Sequence, residues 1–304
     1  MRRCARAVFV SVAAAILSCA IATGQAPAPG AITTGTLPDR WHPGGPDCTN
    51  VPAFQVHEYN ADFFILRQSG CSHYEKPFLY LLFGRDKVML VDTGAGKADV
   101  ATVVKKVVAD WQARHKPSSP QMVVVHTHAH GDHTAGDEQF KTAPRTTVVG
   151  RDLESVKGFF GIRRWPEQIA DYDLGERMVD IIPIPGHEAT SIALYDRRTG
   201  VLLTGDTVYP GRLYISNATA FIASIRRLID FTSTRPLTHI LGNHIENSRT
   251  PFVDYGTGTT YQPEEHALPL ARSHLLEIDE ALRKMNGNIT RLPLADLTLY
   301  PVTR

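Results

Sequence analysis

The chain has 304 residues, of which 43% are hydrophobic and 21% charged, enough apolar content for a sizeable core in one large domain or two small ones. Its formal charge is +1, and Arg2, Arg3 and Arg6 stand in an opening stretch without acids, so removing three positive charges from +1 leaves −2 for the rest. That balance excludes a basic nucleic-acid footprint and a basic membrane-binding face.

The opening stretch, MRRCARAVFVSVAAAILSCAIATG, is positive, then apolar and alanine-rich, with small residues near Ala22. This is the layout of a secretory signal over residues 1–22, and the expected location is export, periplasmic or secreted. Ile16-Leu17-Ser18-Cys19 loosely resembles a lipobox, which offers a lipid anchor on Cys19 as the alternative to plain secretion. No later segment is long and apolar enough to span a bilayer. Cys4 and Cys19 belong to the leader. Cys48 and Cys71 remain, and in an exported protein they meet oxidising conditions, so a Cys48–Cys71 disulfide is expected. Neither has a nearby Cys-x-x-Cys partner, which argues against a cysteine metal site.

Residues 23–50, rich in Pro, Gly and Thr, read as a flexible N-terminal segment, leaving 51–304 as the folded domain. Strand-like segments then begin. Phe78–Phe83 and Lys87–Val91 form a hairpin around Gly84-Arg85-Asp86. Ala98–His115 places Val100, Val103, Val104, Val107, Val108 and Trp111 at helical spacing. Gln121–Val125 reads as a buried strand, Thr134–Phe140 as a short helix and Thr146–Val149 as a strand. The second half repeats the theme, with strands at Met178–Ile184, Ile192–Tyr195 and Val201–Thr204. A helix at Ala218–Phe231, a strand at Thr238–Leu241 and a long closing helix at Pro263–Met285 follow. Strands followed by a helix, twice over, suit two sheets packed together with helices outside.

The chemistry gathers in VVVHTHAHGDHTAG, Val123 to Gly136. His128 and His130, two apart on an extended segment, point to one side and can meet one metal ion. Gly131 lets the chain turn, and Asp132 and His133 follow at the start of a helix, aimed elsewhere. The spacing therefore offers two metal positions, and imidazole with carboxylate suits zinc. Three more ligand-type residues stand at predicted strand ends: His187 after Pro185-Gly186, Asp206 after Gly205, and His244 after Gly242-Asn243. Loops on a rigid frame are where function sits. Together the seven make a set: His128, His130, Asp132, His133, His187, Asp206 and His244.

With these motifs in place the chain resembles the metallo-β-lactamase-fold hydrolases. The resemblance is carried by Val91-Asp92-Thr93-Gly94, Thr127-His128-Ala129-His130-Gly131-Asp132-His133, Pro185-Gly186-His187, Gly205-Asp206 and Gly242-Asn243-His244, in the family's order over residues 75 to 245. It implies an α/β fold, an αββα sandwich with the metal site at one edge. It implies two zinc ions, with iron or manganese as alternatives. His128, His130 and His187 would hold one, Asp132, His133 and His244 the other, and Asp206 would bridge them. Asp92 matches a family aspartate that supports the site. His126 falls outside the ligand pattern and reads as a structural neighbour, as do His57, His239 and His266; His73 could reach the rim.

Two adjacent cations hold a water and lower its pKa toward about 7, giving a hydroxide nucleophile, while one polarises the substrate carbonyl. No serine or cysteine nucleophile is then needed. Asp132 or Asp206 would carry the proton. The expected reaction is hydrolysis of an ester, lactone, thioester or amide bond in a small molecule. An oxygen-reducing di-iron relative carries Glu at the place of His130, which disfavours redox chemistry, whereas a mononuclear iron sulfur dioxygenase shares much of the motif. Many true β-lactamases carry Cys or Ser at the place of Asp206, which instead is like the lactonases and glyoxalase II-type thioesterases. Export argues mildly against glutathione thioesters and keeps β-lactams open. Tyr209 lies three residues after Asp206, where acyl-homoserine lactonases place a tyrosine that assists the carbonyl. A phenol there would stabilise an oxyanion, and the favoured substrate is a lactone. Substrate choice falls to two loops. Arg151–Asp173, with Phe159, Phe160, Arg163, Arg164 and Trp165, reads as a lid or aromatic wall, and Asn247–Gln262 is long, polar and Gly-rich.

Overall fold

A computed structural model describes residues 32–115 and 119–302; the expected signal peptide and the Cys19 lipid site lie outside them. In the first half, strands β1 (Phe54–Asn60), β2 (Phe63–Gln68), β3 (Phe78–Phe83) and β4 (Lys87–Val91) lead into helix α1 (Val100–Arg114). Strand β5 (Gln121–Val125), helix α2 (Gly131–Thr134), strand β6 (Thr146–Val148) and helix α3 (Leu153–Phe160) follow. The second half holds β7 (Ala170–Asp173), β8 (Met178–Pro183), β9 (Ile192–Asp196), β10 (Val201–Gly205), β11 (Arg212–Ile215), α4 (Ala218–Thr232) and β12 (His239–Gly242). It ends with β13 (Pro269–Leu270), α5 (Arg272–Lys284), β14 (Leu292–Pro293) and β15 (Thr298–Pro301). The sheets run β1-β2-β3-β4-β5-β6 and β13-β12-β10-β9-β8-β7, and β11-β15-β14 make a small third one. No helix among the described residues is long and apolar enough to cross a membrane.

Side chains alternate across a strand, and here both faces of both sheets are apolar. Phe63, Ile65, Tyr80 and Leu82 point inward against Ile181, Leu194 and Leu203 of the second sheet. Their neighbours Phe64, Leu66, Leu79 and Leu81 point outward against Val104 and Trp111 of α1. On the far side, Ile182, Ala193, Leu202 and Ile240 meet Phe221 and Leu228 of α4 and Ile278 of α5. The result is the expected αββα sandwich.

Strand direction gathers the site. β4 and β5 are parallel, joined by α1, and β10 and β12 are parallel, joined across α4. β8 is antiparallel to β9, and β9 to β10, so β8, β10 and β12 all run the same way. The turns after β4, β5, β8, β10 and β12 carry Asp92, His126–His133, His187, Asp206 and Asn243–His244. At that edge Ile192 N donates to Thr127 O at 2.8 Å, joining the two sheets.

Four expectations need correction. The segment 23–50 is docked over its described part, 32–50: Trp41 is 5% exposed and its ring lies 4.9 Å from Phe78. Thr36 N donates to Tyr59 O, Gln262 N donates to Pro43 O, and the Cys48–Cys71 disulfide ties the segment to the turn after β2. Thr134–Phe140 is not one helix but α2 and a 3-10 turn at Asp137–Gln139. Gly136 separates them where the chain passes Thr93, so close that a Cβ would meet Thr93 O at 2.5 Å. The closing helix begins at Arg272, not Pro263, because Pro269 cannot donate within a helix and its segment pairs with β12 instead. Glu265 in that lead-in forms a buried two-bond pair with Arg67 at 2.9 and 3.0 Å. Arg151–Asp173 is not a loop throughout: it contains α3, capped by Asp152 and ended by Gly161 at φ +68, and then β7.

Candidate metal centre

Asp92 is the hub beneath the site. It is fully buried and sits at φ +65, a left-handed conformation uncommon outside glycine. A buried carboxylate is costly without partners, and this one accepts four bonds. Thr127 N and Thr127 Oγ1 donate at 2.8 Å each, His133 Nδ1 at 2.9 Å and Asn243 Nδ2 at 2.6 Å. One residue after β4 thus orients the segments after β5 and β12.

All seven candidate ligands converge above that hub, in two groups. His128, His130 and His187 form one; Asp132, His133, Asp206 and His244 form the other, and within each group the ligand atoms lie within 4.8 Å of one another. In the first, His130 Nδ1 is 3.0 Å from His128 Nε2 and 3.1 Å from His187 Nε2. In the second, Asp132 Oδ2 is 3.3 Å from both His133 Nε2 and His244 Nε2. Asp206 stands between them. Its Oδ2 is 3.5 Å from His133, 3.7 Å from His187 and 3.8 Å from His128, and its Oδ1 is 3.4 Å from His244.

The other nitrogen of each ring decides which lone pair faces the centre. His187 Nδ1 donates to Tyr214 O at 2.9 Å, His244 Nδ1 to Glu75 O at 2.8 Å, and His133 Nδ1 to Asp92. Nε2 of each is then left with a lone pair pointing inward, the arrangement that metal-binding imidazoles use. Lone pairs crowded at 3.0 to 3.4 Å repel unless a proton or a metal ion lies among them. Asp206 Oδ1 is buried and accepts no hydrogen bond. The donor set, imidazole nitrogens and two carboxylates, fits a divalent ion such as zinc.

Electrostatics separates the groups. Burial pushes His128 and His187 below the ordinary histidine value, keeping them neutral. Burial also opposes charge on His133 and His244, but Asp206 and Asp132, joined at His133 by Asp92, outweigh it and raise both well above that value. Burial works against ionisation of Asp206 and Asp132 too, yet the surrounding histidines hold both carboxyls below the usual range. The second group is a place that demands positive charge.

Residues 77–236 match the family described as the metallo-beta-lactamase superfamily, slightly more than half of the chain. The chain belongs to that superfamily. Among curated members, the human acyl-coenzyme A thioesterase MBLAC2 is 24% identical over 200 residues, 55% of this chain and 72% of that protein. The hydroxyacylglutathione hydrolase of Methylococcus capsulatus is 31% identical over 110 residues, 34% of this chain and 42% of its own. Among solved structures, a metallo-beta-lactamase from Pontibacter korlensis matches 76% of this chain and 99% of its own at 15% identity, TM-score 0.51. The metallo-beta-lactamase FIM-1 from Pseudomonas aeruginosa matches 77% and 96% at 12% identity, TM-score 0.51. These two likenesses show the shared fold. Like other members of the superfamily, the chain is a hydrolase with a His/Asp cluster suited to metal.

One candidate residue is placed differently from its expected role. Tyr209 is 1% exposed, and its hydroxyl donates to Arg212 O and lies 3.1 Å from Glu246 Oε2. The phenol is committed to the frame, because Arg212 gathers this corner: its guanidinium donates to Glu246 at 2.7 Å, Asp254 at 2.9 Å and the Tyr214 hydroxyl at 2.9 Å. His126 is buried between Asp92 and Asp137, outside both groups. His73 stacks on Tyr74 at 4.8 Å, and Tyr74, bonded to Glu75 and near enough to feel Asp132, has its phenol pushed up to about 12. Sequence reasoning missed the carbonyls of Glu75 and Tyr214, since a backbone acceptor leaves no mark on residue type. Thr127 and Asn243 were findable, as polar residues flanking ligands within the motifs.

Proposed function

We propose that the chain holds two zinc ions, one in each group with Asp206 between them, and cleaves a thioester or ester bond of a small molecule outside the cytoplasm. The position of Asp206 Oδ2, within 3.8 Å of His128, His133 and His187, carries this reading. When bound, the ions supply an activated water and a Lewis acid for the substrate carbonyl. The chain's own residues do the rest. Asp92, Glu75 O and Tyr214 O fix ring orientation, so that the inward nitrogens are presented without reorganisation. Asp132, whose side chain is 20% exposed, is placed to take a proton from the attacking water and return it to the leaving atom. His130, the exposed member of the first group, marks the side from which substrate arrives.

Three further points support the finer reading. The thioesterase and hydroxyacylglutathione hydrolase relatives favour a thioester. The lactone reading rested on Tyr209 as carbonyl donor, and that hydroxyl is engaged elsewhere. Export is supported by the Cys48–Cys71 disulfide, a bond that persists in oxidising compartments. The test is a panel on the zinc-loaded chain: an acyl thioester, an ester, an N-acyl homoserine lactone and a β-lactam. Turnover of thioester or ester above the other two, lost in Asp206→Ala, is expected. Turnover of the β-lactam alone would overturn the choice of bond.

A further inference from the structure

We propose that the groove beside His130 and His187 is the specificity pocket and that it takes an uncharged, apolar acyl group. This rests on the hydrolase reading above and names the part of the substrate that faces the first ligand group. The groove has a volume of about 420 Å³, within the range of small-ligand sites. His130 and His187 form one end, so anything bound in it lies against the candidate metal centre. Apolar side chains supply much of its wall, Leu153 from α3, Trp165 from the segment after it, Pro185 and Ala189 flanking His187, and Ala220 from the first turn of α4, alongside the polar Glu188, Ser216 and Asn217.

The wall is built, not loose. Trp165 packs on the core between the two sheets, so the indole is held from behind. Two of its polar side chains are engaged within the chain. Glu188 Oε2 accepts from Thr190 N at 2.6 Å and from Thr190 Oγ1, and Asn217 Oδ1 caps α4 by accepting from Ala220 N at 3.0 Å. Among the described residues no lysine or arginine lines the groove, and Glu188 is its one acidic group. A ligand part bearing phosphates or carboxylates would meet that acid on a wall that offers no lysine or arginine to balance it. The arginine-lined cavity of about 610 Å³, at Asp62, Trp111, Arg145 and Arg198, includes none of the seven candidate ligands. Charge and shape together assign the groove to the neutral acyl side and leave any anionic leaving group elsewhere.

Each methylene buried there contributes about fourfold to kcat/KM. The experiment uses the full zinc-loaded chain and p-nitrophenyl acetate, butyrate, hexanoate and octanoate, with the hemisuccinate as the anionic probe. The expected result is kcat/KM rising by at least tenfold from acetate to hexanoate, with the hemisuccinate at least tenfold below butyrate. Ala220→Phe, which fills the groove, and Trp165→Ala, which removes its wall, should each reduce the hexanoate-to-acetate ratio by at least fivefold. Binding of straight-chain hydroxamates, measured by calorimetry, gives a second reading that needs no turnover. If no ester is cleaved but hydroxamate affinity climbs with chain length and falls in Ala220→Phe, the hydrolase reading fails and the pocket stands. Flat chain-length dependence in both assays, or a slope untouched by both substitutions, would overturn the pocket.

Discussion

The two ligand groups share imidazoles and yet make opposite demands. His128, His130 and His187 present three imidazoles; burial keeps His128 and His187 neutral, and His130 is the exposed member. Asp132, His133, Asp206 and His244 add two carboxylates, with His133 wholly buried and held from below by Asp92. The first group offers lone pairs; the second concentrates negative charge that must be met by a cation or by protons on His133 and His244. Asp206, a member of the second group, also reaches toward the first, 3.7 Å from His187 and 3.8 Å from His128. On the hydrolase reading proposed above, substrate would enter past His130, with carbonyl capture at the first group and proton handling at Asp132 in the second.

Removing Asp206 breaks the comparison outright. Asp206→Ala should lower kcat by about 1,000-fold or more, and metal analysis should find no more than one zinc per chain. Retention of two zincs with near-normal turnover would mean that Asp206 joins nothing. Asp92→Asn separates the groups. It keeps the shape beneath the site but withdraws the charge that orients His133 Nδ1, so affinity in the second group should fall by about 10- to 100-fold. Chelator competition should then show one weakened and one ordinary zinc; equal weakening of both would deny the groups their independence. A pH series on metal-free protein sharpens the same point. His133 and His244 have folded values raised above the ordinary 6.5. Their protonated forms therefore add stability that is fully present below about 6.5 and is lost as pH rises through the raised values. Thermal unfolding of metal-free protein should show Tm falling above neutral pH, and zinc should remove that slope by replacing the protons. A metal-free Tm flat from pH 6 to 9 would contradict the assignment.

How much of this was legible follows from what each part is made of. The seven candidate ligands and the sandwich were readable because ligand chemistry confines residue type and apolar strands show themselves by composition. The chain from His128 to His133 even announced two positions through its spacing. The docked segment at 32–50 was not readable, since Pro, Gly and Thr look alike in a loose tail and in a strap held by Trp41. The closing helix, read as Pro263–Met285, was drawn too long because it passed over what Pro269 forbids, and Glu265 gave no sign of its distant partner Arg67. α3 was hidden in a stretch whose aromatics drew attention to a wall, although Asp152 and Gly161 mark its two ends.

The smallest expected effect concerns Tyr209, where motif and geometry disagree. An offset of three residues from Asp206 speaks for a carbonyl donor. The hydroxyl instead donates to Arg212 O and lies beside Glu246, at a corner where Arg212 also holds Asp254 and Tyr214. Burial, together with the charges of Glu246 and Asp206, raises this phenol well above its ordinary value, so it stays protonated and keeps donating to its present acceptor. Tyr209→Phe then removes one buried hydrogen bond and leaves the ring in place, a cost of about 1 kcal/mol and a Tm lower by about 2 °C. On the best substrate of the panel, kcat should change by less than about threefold, since a lost hydrogen bond in the frame does not touch the reacting atoms. If kcat fell 100-fold on a lactone while Tm held, the hydroxyl would have to leave Arg212 O during turnover. The motif would then have read the residue correctly, and the position of the Arg212 corner would be the part that moves.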